Sequence, residues 1–323
     1  MKATDPVGKI PVTLITGFLG SGKTTLLRAM LARDELAGSA VLINEFGEIA
    51  IDDSLVRSRA GEVITLESGC LCCSLRDGLA FTLRDLEARV VDGTIPAFHR
   101  VLIETTGLAD PAPILNALAI DPALTAGYRL ATTVVTVDAV NGWSGLDRQP
   151  EAVRQVAVAD HLLLTKTDLA AEADIARLED RLRALNSDAE MARVIAGAID
   201  PTPFLVAPTR SNSGPGDYAA DEIHHHDHEI ATFAVVLETA PTRANFERWL
   251  KTLLAHRGDD LLRLKGVIKF ADYEHPVLIN SVGGLLHPFE ALDPDHVETG
   301  TGHLVFITRR ISRDVIEDSL RII

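Results

Sequence analysis

The first two thirds of the chain alternate short apolar runs with segments of helical periodicity. The apolar runs predict strands at residues 11–16, 39–44, 62–67, 100–105, 132–138 and 161–166. Between these runs, apolar residues recur every three or four positions, as they do on one face of a helix. The predicted helices are 23–36, 76–91, 110–120 and 171–186. Such alternation is typical of a doubly wound α/β domain with a mostly parallel sheet, which we expect over residues 1–206.

The composition changes between residues 207 and 229, where Gly, Ser, Pro, Asp and His dominate and few apolar side chains remain. We interpret this stretch as a polar linker. Beyond it, the pattern predicts a strand, a helix with Thr242 as its N-cap, three more strands and a last helix with Ser312 as its N-cap. This order of elements predicts a smaller α+β domain over residues 230–323.

The charge of the chain excludes two classes of partner. The 323 residues contain 31 Lys and Arg against 46 Asp and Glu, which gives a formal net charge of -15. An acidic surface repels phosphate backbones and anionic lipids, so we expect neither nucleic-acid nor membrane binding. The chain has no apolar run of the roughly 18 residues that a membrane helix needs, and its N-terminus does not resemble a secretory signal. We therefore expect a cytoplasmic protein.

A glycine-rich loop between the first predicted strand and helix has the pattern G-x-x-x-x-G-K-[ST]. In this pattern, glycines let successive backbone N–H groups face phosphate oxygens at a helix N-terminus. Lys23 is predicted to reach the outer phosphates, and Thr24 to bind magnesium. The remaining nucleotide-binding candidates in the loop are Gly17, Gly20, Ser21, Gly22 and Thr25. The alternative is a glycine-rich turn that binds no ligand.

Triphosphate hydrolysis also requires acidic groups near the phosphates. Glu104 ends a predicted strand, where it can organise magnesium and its water, and the amide of Gly107 can sense the γ-phosphate. The alternative for Glu104 is a carboxylate that only caps the next helix. Glu45 and Asp52 lie in a polar stretch, residues 44–52, that is positioned to act as a switch. Either of these two could instead be a solvated loop carboxylate.

The segment from Thr165 to Asp168 looks like the N-K-x-D guanine reader of GTPases, with threonine where asparagine is usual. The carboxylate of Asp168 can accept hydrogen bonds from both the ring N–H and the exocyclic amine of guanine, which adenine does not offer. The stem of Lys166 would lie across the base. The segment therefore favours GTP over ATP.

Cys70, Cys72 and Cys73 lie within four residues, in a short turn between a predicted strand and helix. This clustering indicates a site rather than a disulfide framework. Three thiolates can bind zinc or copper(I), with water, Glu67 or a ligand from a partner at the fourth position. The alternatives are buried inert cysteines and a vicinal redox pair.

A second candidate metal site lies in the predicted linker. Its residues are His224, His225, His226 and His228. Clustered histidines can capture a metal ion, although a solvated polar loop would have the same composition.

Together, these motifs closely resemble those of the CobW-like metallochaperone GTPases, including the zinc-chaperone branch. The matching blocks between residues 17 and 169 are GFLGSGKTTLL, NEFGEIAIDD, ESGCLCCSLRDGL, VLIETTGLADP and TKTDL. KGVIKF, PVLINSVGG and HLVFITRRIS resemble the family's C-terminal domain.

The resemblance implies a P-loop GTPase that uses GTP, GDP and magnesium and binds zinc through Cys70, Cys72 and Cys73, with cobalt and copper ranked below zinc. It also implies that GTP binding and hydrolysis are coupled to delivery of the metal to a client metalloprotein. The alternative is a nucleotide-gated metal buffer or sensor without a client. A P-loop small-molecule kinase would leave the cysteines unexplained. Homo-oligomer formation is left open.

Overall fold

A computed structural model of the chain describes residues 8–43, 62–65, 75–205, 223–225, 230–293 and 302–321. The chain divides into two compact units, Met1–Asp180 with Asp188–Thr209 and Arg181–Ser187 with Arg210–Ile323. Within the described ranges, no helix combines the length and apolarity needed to cross a membrane.

A parallel sheet forms the centre of the first unit. Its strands are β1 (Ile10–Gly17), β2 (Ser39–Ile43), β3 (Glu62–Thr65), β4 (Arg100–Glu104), β5 (Tyr128–Asp138), β6 (His161–Thr165) and β7 (Glu190–Val194). They pair in the order β3-β2-β4-β1-β5-β6-β7, and every pair is parallel. The predicted parallel sheet is therefore confirmed, with β1 at its buried centre.

Helices connect these strands. They are α1 (Lys23–Leu31), α2 (Leu75–Val91), α3 (Ala112–Ile120), α4 (Pro122–Thr125), α5 (Gly142–Arg148), α6 (Pro150–Ala157) and α7 (Glu172–Leu185). The connections from β1 to β2 and from β5 to β6 run in opposite directions across the sheet. Because such crossovers are right-handed, α1 and α6 lie on opposite faces, as a doubly wound fold requires.

Several elements of the first unit, among them the short helix α4, are absent from the pattern-based prediction. The edge strand β7 buries only Val194 fully, so no apolar run marks it. Helices α5 and α6 fill the connection between β5 and β6, for which we predicted no helix. In α6, Ala152, Val153, Val156 and Ala157 are buried and recur at helical spacing, so a usable signal was present there.

An antiparallel sheet forms the second unit, as expected for an α+β domain. Its strands are β8 (Ile223–His225), β9 (Ile230–Val236), β10 (Leu261–Ile268), β11 (Val277–Val282), β12 (Leu285–Leu286), β13 (Glu290–Ala291) and β14 (Gly302–Arg309). Their order is β12-β11-β10-β14-β9-β8, with β13 paired to β11. Helices α8 (Arg243–Arg257) and α9 (Arg313–Leu320) pack Phe246, Leu250 and Ile316 into the core that this sheet shares with them.

Two local predictions in this unit have different outcomes. The Thr242 side chain accepts a hydrogen bond from the Asn245 backbone N–H at 3.3 Å, which confirms it as the N-cap of α8. Ser312 occupies the N-cap position of α9, but its side chain makes no capping hydrogen bond. In addition, β8 lies inside the predicted linker and pairs with β9, so part of that segment extends the sheet.

Candidate functional site

The glycine-rich loop joins the end of β1 to the first residue of α1. Gly22, the N-cap of α1, has a φ of 96°, a left-handed conformation that glycine adopts without a steric penalty. The Ser21 N–H donates to the Phe18 carbonyl at 3.0 Å, which closes the turn. The Lys23 ammonium donates to the carbonyls of Gly17 and Phe18 at 2.9 and 3.2 Å. The loop therefore ends at a helix N-terminus with a cation beside it, a geometry that suits anions.

Thr24 and Glu104 lie together in the fold. They are 80 residues apart in the sequence, and two separate motifs predicted them as magnesium-binding residues. The Thr24 hydroxyl donates to Glu104 Oε1 at 2.6 Å, and Glu104 is only 3% exposed. Register explains the contact, since Glu104 ends β4 directly opposite Ile15 of β1. Hydroxyl and carboxylate oxygens are the hard ligands that Mg²⁺ prefers, so this pair fits the predicted ion.

Gly107 packs directly against the phosphate loop. A Cβ on this residue would lie 2.5 Å from both Cα and N of Leu19, so only glycine fits. Just before it, the Thr105 N–H donates to the Ile15 carbonyl at 3.0 Å, and the Thr105 hydroxyl donates to that of Thr16 at 2.7 Å. The two predicted nucleotide motifs thus form one packed unit.

The predicted base reader begins at the end of β6. The buried Thr165 hydroxyl donates to the Ser21 carbonyl at 2.7 Å, so this threonine braces the phosphate loop although it lacks an amide. Lys166 has a φ of 57°, a left-handed conformation that is uncommon outside glycine. The Asp168 side chain is exposed and makes no hydrogen bond to the described part of the chain. Its oxygens are free to accept hydrogen bonds from a ligand.

Asp138 is a site residue that the motifs did not identify. It ends β5 opposite Thr165 of β6, and its Oδ2 accepts from the Lys166 ammonium at 2.7 Å. Its carboxylate also accepts the backbone N–H of Val140 at 2.8 Å and the side-chain amide of Asn141 at 3.0 Å. Burial raises the pKa of Asp138, but the hydrogen bonds from Lys166, Asn141 and Val140 outweigh it and hold the pKa below its ordinary value. The only available sequence signal was an acidic residue ending a strand.

Most of the predicted metal ligands and switch residues lie outside the described residues. These are Glu45, Asp52, Glu67, Cys70, Cys72, Cys73, His226 and His228. His224 and His225 belong to β8, which is described in its backbone alone. Within the described ranges, no three His, Cys, Asp or Glu residues form a group suited to a metal ion. Of the remaining loop candidates, Thr25 is exposed on α1 and Gly20 has a φ of 74°.

The parallel sheet, the glycine-rich loop at a helix N-terminus and the Thr24–Glu104 pair define a P-loop nucleotide-binding domain. Residues 11–193 match the family model of the CobW/HypB/UreG nucleotide-binding domain. The cobalamin synthesis protein cobW C-terminal domain matches residues 230–322. The chain therefore belongs to the CobW/HypB/UreG family.

Two zinc chaperones align with most of this chain and with most of their own length. The chain is 37% identical to zinc chaperone YjiA of Escherichia coli K12 over 266 residues, which are 80% of this chain and 81% of that protein. It is 32% identical to zinc chaperone CobW of Pseudomonas aeruginosa over 317 residues, which are 86% and 81% of the two chains.

Solved structures of YjiA have a similar fold. The crystal structure of the Zn(II)-bound YjiA GTPase aligns with a TM-score of 0.74 and 30% identity over 97% of this chain and 98% of that one. A Zn(II)-bound triple mutant of YjiA, in which one glutamate and two cysteines are replaced by alanine, aligns with a TM-score of 0.75.

Proposed function

We propose that this protein is a GTPase that binds zinc and transfers it to a client metalloprotein. The observation that carries the proposal is the hydrogen bond of 2.6 Å between Thr24 and Glu104, at the N-terminal end of α1. It joins the two motifs that a phosphate-hydrolysing site needs. The names of the relatives, zinc chaperone and GTPase, support the link to zinc and to GTP.

Each residue at the phosphate end has a separate task in this proposal. Lys23 moves from the loop carbonyls to the outer phosphates, where it offsets their negative charge. Thr24 and Glu104 would hold magnesium, which when bound would offset negative charge on the phosphates. The Gly107 amide donates to the γ-phosphate, so its contact is made with GTP and lost with GDP. This difference is what a switch requires.

At the base end, Asp168 reads guanine. Its exposed carboxylate accepts from the ring N–H and the exocyclic amine, and an adenine base offers neither donor in that arrangement. Lys166 supports the base with its aliphatic stem, while Thr165 ties this loop to the phosphate loop through Ser21.

Zinc is the cargo in this proposal, and Cys70, Cys72 and Cys73 are its ligands. Three thiolates leave one coordination position open, which allows the metal to pass to another protein. The cysteines follow β3, whose carboxyl end is on the same edge of the sheet as the phosphate loop, three strand spacings or about 14 Å from the end of β1. In this proposal, a change at the γ-phosphate alters the zinc affinity of the cysteines.

A competitive zinc titration tests this proposal. Wild type and a Cys70→Ser/Cys72→Ser/Cys73→Ser variant are compared, each with GDP and with a non-hydrolysable GTP analogue. We expect tight zinc binding that disappears in the variant and differs between the two nucleotides in wild type. Binding linkage requires the reciprocal effect, so zinc must shift the relative affinity for the two nucleotides by the same factor.

A second variant separates the cysteines from other zinc ligands. The YjiA mutant without two cysteines is itself described as Zn(II)-bound, so a cysteine variant alone leaves residual binding ambiguous. Replacement of His224, His225, His226 and His228 by alanine removes the other candidate site. Equal zinc affinity with both nucleotides would contradict coupled transfer and leave a metal buffer or an ordinary GTPase.

A further inference from the structure

Gln155 lies in α6 and belongs to none of the nucleotide motifs. Its side chain is 1% exposed, and its Nε2 donates to the carbonyls of Gly107 and Ala109 at 3.3 and 3.0 Å. Burial of an amide is unfavourable unless hydrogen bonds replace those it made to water. A buried glutamine aimed at two carbonyls in the Gly107 segment therefore restrains that segment.

Helix α6 makes a second contact with the same segment. The guanidinium of Arg154 lies 3.3 Å from Asp110 Oδ2, and both side chains are about one-third exposed. Asp110 in turn accepts the backbone N–H of Ala112, the first residue of α3, at 2.9 Å. Two successive residues of α6 thus anchor the chain between Gly107 and α3.

The opposite side of Gly107 is also fixed, because this residue packs against the backbone of Leu19 in the phosphate loop. Glycine is required there by the close approach, but it has more backbone freedom than any other residue. Packing alone therefore does not determine the direction of its N–H. The hydrogen bond from α6 to the Gly107 carbonyl holds the peptide plane that follows Gly107, and so reduces the freedom of the segment that carries this N–H.

We infer that Gln155 is a positioning residue that orients the Gly107 amide for contact with the γ-phosphate. The inference rests on the proposed function, because it assumes that Gly107 contacts GTP. Gln155 does not touch the nucleotide, and it acts only through the segment that it holds. Its loss should weaken GTP binding and leave GDP binding intact.

The hydrogen bonds of Gln155 can be removed with little change in the volume of the side chain. It lines an open pocket together with Phe18 and Leu19 of the phosphate loop. Its Oε1 makes no hydrogen bond within the described ranges, so its restraint depends on Nε2. Gln155→Leu removes both hydrogen bonds at similar volume, and Gln155→Glu keeps the shape but places an acceptor against two carbonyls.

The matched control is Gln149→Leu. Gln149 is the N-cap residue of the same helix, is partly exposed and makes no side-chain capping hydrogen bond. Dissociation constants for GDP and for a non-hydrolysable GTP analogue are measured for the full-length wild type and all three variants. For both Gln155 variants we expect the affinity for the GTP analogue to fall about tenfold, because two buried hydrogen bonds are lost. Their affinity for GDP should stay within about twofold of wild type. Gln149→Leu should match wild type.

Hydrogen exchange at residues 107–109 provides a second measurement on the same variants without nucleotide. Faster exchange in the Gln155 variants than in Gln149→Leu is expected, since the segment has lost its restraint. An unchanged ratio of the two affinities, or an equal loss of both, would overturn the inference and leave Gln155 with a purely structural role. If wild type binds the GTP analogue and GDP equally well, the proposal that Gly107 senses the γ-phosphate is wrong. The role inferred for Gln155 is then wrong as well, because it depends on that proposal.

Discussion

The two ends of the nucleotide site are built differently. At the phosphate end, Lys23 and Thr24 belong to one contiguous motif at the start of α1, and Glu104 reaches Thr24 from the adjacent strand. At the base end, Lys166 is held by Asp138, which comes from a different strand and lies in no motif. The residues of the phosphate end therefore all lie in recognisable motifs, whereas the base end depends on Asp138, which no motif marks.

The largest expected effect is at the phosphate end, from Lys23→Ala. The variant removes the cation nearest the loop, and we expect GTP hydrolysis to fall by about a hundredfold or more, as is usual when one preorganised electrostatic group is lost. Steady-state phosphate release measures this. Arg28→Ala is the control, because Arg28 is an exposed cation on the same helix. A hydrolysis rate near that of wild type in Lys23→Ala would contradict the assigned site.

A smaller effect is expected at the base end, from Asp138→Asn. This change removes the charge that pairs with Lys166, which has a left-handed backbone conformation with a φ of 57°. With that support gone, we expect GDP affinity to fall about tenfold, in the range measured for partly buried charged hydrogen bonds. Affinity for inorganic triphosphate, which has no base, should stay within about twofold of wild type.

The triphosphate measurement decides between a specific and a general effect. Equal weakening of GDP and triphosphate would mean that Asp138 supports the whole site, and the distinction between the two ends would fail. Glu172→Gln serves as the control, because it breaks another ion pair of the same unit, with Arg193 at 2.7 Å. That pair is largely exposed, so we expect neither affinity to change.

Local sequence was sufficient to predict the phosphate end. The loop, Glu104 and Gly107 each occur in short motifs whose position after a strand already implies their geometry. Asp138 could not be predicted in this way, because its role depends on the register that places it opposite Thr165. Gln155 was missed for a related reason, since its carbonyl partners lie 46 and 48 residues away.

The same distinction applies to the fold. Strands such as β1 and β6 are buried along almost their whole length and contain apolar runs, so hydrophobic pattern predicts them. The edge strand β7 buries one residue fully and is held mainly by its backbone pairing with β6, which no pattern of side chains reports. Local pattern thus predicts the elements that are buried on both sides, whereas contacts between distant segments have to be observed.

The smallest expected effect concerns the link between the two ends. Thr165→Val removes the hydroxyl that donates to the Ser21 carbonyl at 2.7 Å while keeping the size of the side chain. We expect the free energy of unfolding to fall by about 1 kcal/mol, the usual net value of one buried hydrogen bond, and GDP affinity to fall a few-fold. Thr165→Ser retains the hydroxyl and should restore most of the GDP affinity. If Thr165→Ser and Thr165→Val bind GDP equally, the hydroxyl does not couple the ends, and each end must be stabilised separately.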